Sequence, residues 1–460
     1  MAATSEVELR ELMAGQLAVW YAQQLAPRNH GFNIAEYLEI TGAAKPGLLV
    51  EAARRRLHEA ESLRLRIRVT DGTPRQYMHD ARDYPVHVVD LSDEPDPRAA
   101  AEQWMDTDLR APVELDGGPL SSQAVLKLGE DLYYWYTRVH HLAMDGLGGV
   151  ALATRGAEIY TALLEGHDLD QNALEPVAVL LDADRAYRES AGLELDRQYW
   201  GDALAGLADT AAAHTGRRAQ RAPVRTSGAI GMPQVGALKT AARRLRTNLA
   251  GLLITAAAVH EHRVTGARDV VIGVPVRGRA GHREAAIPGM TSNVLPIRVT
   301  FDPTTTVADA VRQTSRAVRE GLRHERYRHE EILRDLKMVD RVLSGLHINV
   351  MAFGYDLHFG DLPATAHNLS TGPVDNIRID VYDRSGLQIN VDVNPDVHDE
   401  ASAADVLRRF LNVVHWLTTT PATNLVGRAD VLGEVERRQV LSGWNETAVG
   451  VPSGSLVELF

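Results

Sequence analysis

Two hydrophobic periods alternate along this chain. Between residues 63 and 69, Leu63, Leu65, Ile67 and Val69 alternate with Arg64, Arg66 and Arg68, the period-two pattern of a strand with one polar face. Leu9, Leu12, Met13, Leu17 and Trp20 recur instead at helical spacing and predict a helix over 8–24. A second helix is predicted over 46–61, with Pro46 early, where a missing N–H costs least. Further helices are predicted over 96–109, 147–164, 183–204, 247–264, 305–322, 327–336 and 401–417. Thr247 reads as the N-cap of the 247–264 helix and Thr265-Gly266 as its stop. Strands are predicted at 33–40, near Gln76, and at 86–89, 123–128, 269–275, 346–351, 377–382 and 387–393.

A chain of 460 residues mixing strands and helices in both halves is too long for one ordinary core and predicts two lobes. The polar stretch 166–176 marks the handover, which gives a first lobe over 1–176 and a second over 177–432. Residues 216–223, rich in arginine, read as an exposed loop.

One stretch carries candidate chemistry. Tyr133 to Val139 is aromatic and β-branched without Gly or Pro, so it reads as a strand, and it runs into His140-His141, then Asp145-Gly146 and a glycine-spaced helix. Adjacent strand residues point to opposite faces, so one histidine can face a cavity while the other is a hydrogen-bonded structural residue. Gly146, without a side chain, lets a substrate approach a backbone N–H beside the base. A His-His pair alone is more often a buried pair or an incidental metal site.

Charge and cysteine content narrow the class. With 49 basic and 61 acidic residues the net charge is -12, and no basic run is flanked by aromatics, which argues against a nucleic-acid partner. Zero cysteines remove disulfides, thiolate nucleophiles and thiolate metal sites together. The 18 histidines otherwise lack ligand spacing, so no metal is expected. No signal peptide or membrane-spanning run is visible, and a cytoplasmic protein without membrane contact is expected.

The pattern His140-His141-x-x-x-Asp145-Gly146 resembles the signature of nonribosomal peptide synthetase condensation domains. Other stretches resemble the family's motifs in order: Gly15 to Trp20, His58 to Arg64, Asp196 to Trp200, and Ile272 to Arg279 with Gly289 to Pro296. His324 to Leu336 falls where a His- and Glu-bearing helix is expected. Gly345 to Asp356 and His367 to Asp375 look most like the opening condensation domain of catecholate siderophore synthetases, the enterobactin and bacillibactin type. Gly443 to Thr447 resembles the linker into an adenylation domain, assigned here to 433–460. Ser292 and Thr291 stand where many relatives have Val and Phe, and Ile67 where a Phe is common. These departures read as packing changes.

The resemblance implies an α/β (α+β) fold of two chloramphenicol-acetyltransferase-like lobes in a V-shaped pseudo-dimer. It implies an acyltransferase that joins a donor acyl group to the α-amine of an aminoacyl group, both held as thioesters on carrier-protein 4'-phosphopantetheine, with no cofactor bound by the domain itself. His141 matches the family's reactive histidine, as a base or as the residue that positions the amine. His140 packs behind it, and Gly146 is the backbone-donor candidate. Asp145 is structural by that likeness, paired with Arg64, while Arg279 and Asn293 belong to the framework. Because Met1 precedes the first motif closely, the donor is expected on a separate upstream aryl or acyl carrier. By the subgroup's habit it bears 2,3-dihydroxybenzoate. The acceptor is expected on a downstream peptidyl carrier, with an adenylation domain adjoining. Two other readings stay open: an epimerisation domain, which shares the histidine motif, and a non-catalytic condensation-like platform that recruits a partner to a carrier.

Overall fold

The computed structural model describes residues 8–27, 29–167, 169, 174–207, 222–279, 281–338, 341–351, 356–447, 455 and 457. Most of the arginine-rich 216–223 loop, part of the 166–176 stretch and residues 352–355 lie outside them.

The aromatic strand Leu132–His140 sits inside a six-stranded sheet, between Asn33–Thr41 and Ser121–Gly129. Its alternation separates two cores. Tyr133 and Trp135 face the helices Pro46–Glu59 and Gly146–Glu165, through Leu49, Ala53, Ala153 and Tyr160. Tyr134 and Tyr136 face the helix Pro97–Leu109, through Ala101 and Met105. The strand is therefore apolar on both sides, as a central strand sandwiched between helix layers must be.

The second lobe has its own six-stranded mixed sheet, which includes Val224–Ile230, Asp269–Val276, Asn293–Thr300, Leu346–Met351, Ile377–Asp383 and Leu387–Val393. Ile379, Val381, Ile389 and Val391 bury one face against the helices Leu249–Thr265 and Glu400–Thr419. The opposite face is polar by alternation and carries Arg225, Arg378, Asp380, Asn390 and Asp392, of which the last four are buried.

The chain does not keep its halves apart. Leu357–Phe359 and Leu362–Ser370 leave the second lobe and extend the first lobe's sheet, where Leu362–Ser370 pairs antiparallel with Asn33–Thr41. A division after residue 176 thus follows chain order and not the sheets. A strand added from the far half covers the edge of Asn33–Thr41, which would otherwise expose unpaired backbone groups.

Several sequence-based boundaries change. The predicted 8–24 helix is a two-residue strand, Arg10–Glu11, followed by the helix Ala14–Leu25. The strand pairs with Thr73–Met78 and so takes the first residues out of helical geometry. The predicted 183–204 helix is two helices, Ala178–Arg188 and Ala191–Ala203, broken where the Ser190 hydroxyl caps the second. Asn248, not Thr247, caps Leu249–Thr265, because the Thr247 hydroxyl is used against Ser315 on a neighbouring helix. Among the described residues no helix is long and apolar enough to cross a membrane.

Candidate active site

The site forms where the aromatic strand ends. His140 is its last residue and is fully buried. Its Nδ1 accepts a hydrogen bond from the Leu142 N–H at 3.2 Å, so its Nε2 carries the proton toward Gln23 Oε1 at 3.1 Å. The Gln23 amide is itself oriented, since its Nε2 donates to the carbonyls of Ala26 and Asn29. Burial first, then the neighbouring His141 and Arg138, push His140 down to about 3. A neutral ring with both nitrogens committed cannot exchange protons with a substrate. His140 is thus held as a buried, hydrogen-bonded ring.

Gln16, seven residues before Gln23 and on the same helical face, donates to the Leu142 carbonyl at 3.3 Å. The first helix thus underpins the turn after the histidines with two buried glutamines. Periodicity gave no signal for either, because both occupy positions on the apolar stripe.

His141 lies one residue past the strand, its backbone N–H held by the Phe32 carbonyl at 2.7 Å. Its side chain is half-buried. Nδ1 is shut off from solvent without a hydrogen-bond partner. Burial lowers its affinity for a proton, as does Arg378, while Asp145 and the carbonyls of His141 and Met144 work the other way; burial wins and the ring is held below its ordinary value. A neutral imidazole is the state that a proton acceptor needs.

Asp145 caps the helix Gly146–Glu165, its Oδ1 accepting from the Gly148 N–H. The rest of its carboxylate is taken up by the second lobe. Arg279 Nη2 donates to Oδ1 at 2.8 Å and to Oδ2 at 2.9 Å, and the N–H groups of Thr291 and Ser292 both reach Oδ2 at 3.1 Å. Arg279, not Arg64, is therefore its partner. Arg64 ends a short helix, and its guanidinium donates to the carbonyls of His79 and His58. Nor is Thr291 a mere packing change: its hydroxyl accepts from Arg279 Nε and donates to the Arg277 carbonyl. Asn293 is framework, its amide bridging the carbonyls of Glu325 and Tyr327 and the His329 N–H.

Gly146 opens the helix after Asp145 and is exposed. A side chain there would meet nothing within 4 Å, so packing does not require the glycine. Against the other side of His141 stands Gly372, at φ +104°, with the place of a Cβ 2.9 Å from His141 Cδ2. Both its backbone conformation and that contact restrict the position to glycine. Gly372 lies inside the 367–375 stretch singled out by resemblance, but nothing in the sequence tied it to the histidine. Among the described residues no group of three His, Cys, Asp or Glu side chains could hold a metal.

Comparison with known proteins identifies the family. Residues 9–441 match the family model for the condensation domain. The chain is 39% identical over 457 residues to a dimodular nonribosomal peptide synthase of Bacillus subtilis (strain 168), covering 98% of this chain and 19% of that protein. It is 27% identical to enterobactin synthase component F of Escherichia coli (strain K12), covering 97% of this chain and 35% of that protein. The chain thus spans only a fraction of the length of these relatives. A mutant of the starter condensation domain of rhizomide synthetase, solved with C8-CoA, superposes with a TM-score of 0.86 at 34% identity, covering 92% of this chain and 98% of that one. Its two sheets are accordingly the acetyltransferase-like lobes of a pseudo-dimer, and the chain belongs to the condensation-domain family of nonribosomal peptide synthetases, which are amide-forming acyltransferases.

Proposed function

We propose that this domain joins a donor acyl group, delivered as a carrier-protein thioester, to the α-amine of an aminoacyl group on a downstream peptidyl carrier, with an adenylation domain adjoining. The observation that carries this reading is His141. Its imidazole is held below its ordinary proton affinity by burial, with Asp145 acting on it from the start of the helix Gly146–Glu165 and Gly372 packed against the ring.

Amines of this type have pKa values of about 7.7–8.0, so roughly a tenth are already neutral at pH 7. The amine nitrogen attacks the thioester carbonyl, and the tetrahedral adduct must lose an ammonium proton. His141 accepts that proton. The C–S bond then breaks, the amide forms, and the proton passes to the departing thiolate. The backbone N–H of Gly146 is assigned to the developing oxyanion. A positioned general base is worth about 10²–10⁴ in rate. Confining both arms in one cleft adds effective concentration. The platform reading is disfavoured because His140, His141, Asp145 and Gly146 are all present, and His140 and Asp145 keep their supporting bonds.

For the donor we assign 2,3-dihydroxybenzoyl on an aryl carrier, as in siderophore assembly. The catecholate-type stretch 367–375 and the likeness to enterobactin synthase component F support it. A fatty acyl donor is the second reading, favoured by the C8-CoA-bound relative. A single-turnover assay would offer a 2,3-dihydroxybenzoyl carrier or octanoyl-CoA as donor and a panel of aminoacyl carriers as acceptor. Amide from the aryl donor alone, reduced about 10²–10⁴-fold by His141→Ala, is the expected result. Amide from octanoyl-CoA alone would replace the donor assignment. Full activity in His141→Ala would remove the base assignment.

A further inference from the structure

The polar face of the second lobe's sheet poses a physical question. Arg225, Arg378, Asp380 and Asp392 form a network of two cations and two anions in which both carboxylates are fully buried. Arg225 donates to both oxygens of Asp392 at 2.7 and 2.8 Å, and Arg378 reaches Asp380 at 3.1 Å and Asp392 at 3.3 Å. Burial works against the Asp392 carboxylate, but the bonds from the two arginines outweigh it and hold it below the ordinary carboxylate range. A buried ion network of this kind is a poor source of stability compared with well-packed apolar side chains. Its geometry suggests what else it does.

The donors not spent on carboxylates go to backbone carbonyls of a single segment, the one that returns from the first lobe's sheet to the second lobe. Arg225 Nη1 donates to the Asn368 carbonyl at 3.0 Å. Arg378 donates to the carbonyls of Thr371 and Gly372 at 3.3 Å and of Pro373 at 3.4 Å. The Thr371 hydroxyl donates to Asp380. From the other lobe, the Ser370 hydroxyl donates to the Asn33 carbonyl at 2.8 Å. One guanidinium thus closes on three successive carbonyls, and the middle one belongs to Gly372, whose Cα faces the His141 ring. We propose that Arg378, braced by Asp380, Asp392 and Arg225, is a positioning residue for the amide-forming reaction: it clamps the 371–373 turn so that Gly372 fixes the orientation of the His141 imidazole. This rests on the reading of His141 as the reacting histidine.

Nδ1 makes no well-formed hydrogen bond, although the carbonyls of His141 and Met144 bear on the ring, so packing shares in setting its angle. The charged and titratable groups around it are His140 beneath, Asp145 at the helix start and Arg378 across the lobe boundary, with Arg225, Asp380 and Asp392 behind Arg378. Arg378 therefore acts on His141 in two separable ways, by geometry through Gly372 and by its charge.

Three variants separate them, assayed in single turnover with both donors above and read independently by histidine-ring NMR titration, with the His141 resonance assigned by its loss in His141→Ala. Arg378→Lys keeps the charge and loses the three-carbonyl fork. We expect its rate at saturation to fall roughly 10–100-fold, the scale of a misplacement of about 1 Å, with KM for either carrier changed less than about twofold and the His141 titration unmoved. Arg378→Met should show the same loss, and the His141 titration and the acid limb of the rate profile should both move to higher pH, because a cation that opposes protonation is gone. Should these variants fail to fold, Gly372→Ala leaves the ion network in place and pushes on the ring directly, and a loss of similar size is expected. Wild-type turnover in Gly372→Ala, or in folded Arg378→Lys, while His141→Ala is inactive, overturns the positioning role alone. Wild-type turnover in His141→Ala overturns the reading of the site and this proposal with it.

Discussion

Two charged clusters meet at His141, and they are built on opposite plans. On the first-lobe side one carboxylate, Asp145, collects donors: the Gly148 amide of its own helix, then Arg279, Thr291 and Ser292 from the second lobe. On the second-lobe side two arginines distribute donors, to Asp380 and Asp392 and then to the carbonyls of residues 368 and 371–373. A carboxylate at the centre fixes a helix start and ties two lobes together. A guanidinium at the centre fixes a loop. The first arrangement should therefore show itself chiefly in stability, and the second chiefly in rate.

The largest effect expected from that contrast is at Asp145. Removing one partner of a buried pair leaves the other charge uncompensated and costs about 3–5 kcal/mol, and here a helix cap is lost as well. Asp145→Ala should collapse the yield of soluble protein, and Arg279→Met should do nearly as much. Urea unfolding of whatever protein is recovered would measure it. A well-folded Asp145→Ala that is merely slow would erase the distinction between the two clusters.

A pH titration sharpens the comparison, because buried histidines stand beside both clusters and away from them. Burial holds His140 and His347 at about 3, the latter close to His329 and Arg378, and His260 in the second-lobe core at about 4. In the unfolded chain each titrates near 6.5. Their folded values are depressed, so their contribution is complete above pH 6.5 and is lost as the pH falls toward 4, where the unfolded state holds the extra protons. The slope is at most about 1.4 kcal/mol per pH unit for each histidine. Both ring nitrogens of His260 lack a partner, so His260→Leu should keep the fold and lessen the loss between pH 6 and 4.5, measured from urea midpoints. An unchanged slope would show that this ring is not proton-free in the folded state.

A smaller loss is expected at Gln23. It alone holds His140 Nε2, and Gln23→Leu would leave that buried N–H unpaired at a cost of about 1–3 kcal/mol. The acid limb of the rate profile should stay put, since His141 keeps its own surroundings. A moved limb would mean that the two histidines titrate as a unit.

How much of this was readable from the sequence depended on separation along the chain. The aromatic strand and the helix after it follow from period and adjacency, and the structure reproduces them. Pairings across the lobes left no such trace. Asp145 and Arg279 are far apart in the chain, and the pairing with Arg64 rests on family resemblance, which matches a position by motif and not by contact. The crossing strand Leu362–Ser370 was not foreseen either. Its residues Ala364, Thr365, Ala366, His367 and Asn368 are small or polar, because they cover an edge and meet the other lobe instead of building a core of their own.

Arg64 supplies the smallest prediction and the sharpest control on the pairing. Its guanidinium donates to two carbonyls, His79 at 3.2 Å and His58 at 3.1 Å, and touches no carboxylate. Those carbonyls belong to the end of the helix Pro46–Glu59 and the turn after Thr73–Met78. Losing the side chain therefore frees two acceptors near the surface, where water can replace it, and strands no buried charge. Hydrogen bonds from a charged guanidinium net about 1.5–3 kcal/mol when shut off from water, and much less where solvent can substitute, as it can here. Arg64→Ala should thus cost about 1 kcal/mol in urea unfolding and leave turnover near the wild-type level, while Asp145→Ala and Arg279→Met fail together. The double variant Arg64→Ala/Asp145→Ala should be additive, as expected for residues that share no partner. Strong non-additivity between residues 64 and 145 would restore the pairing suggested by resemblance and move Arg279 back into the framework.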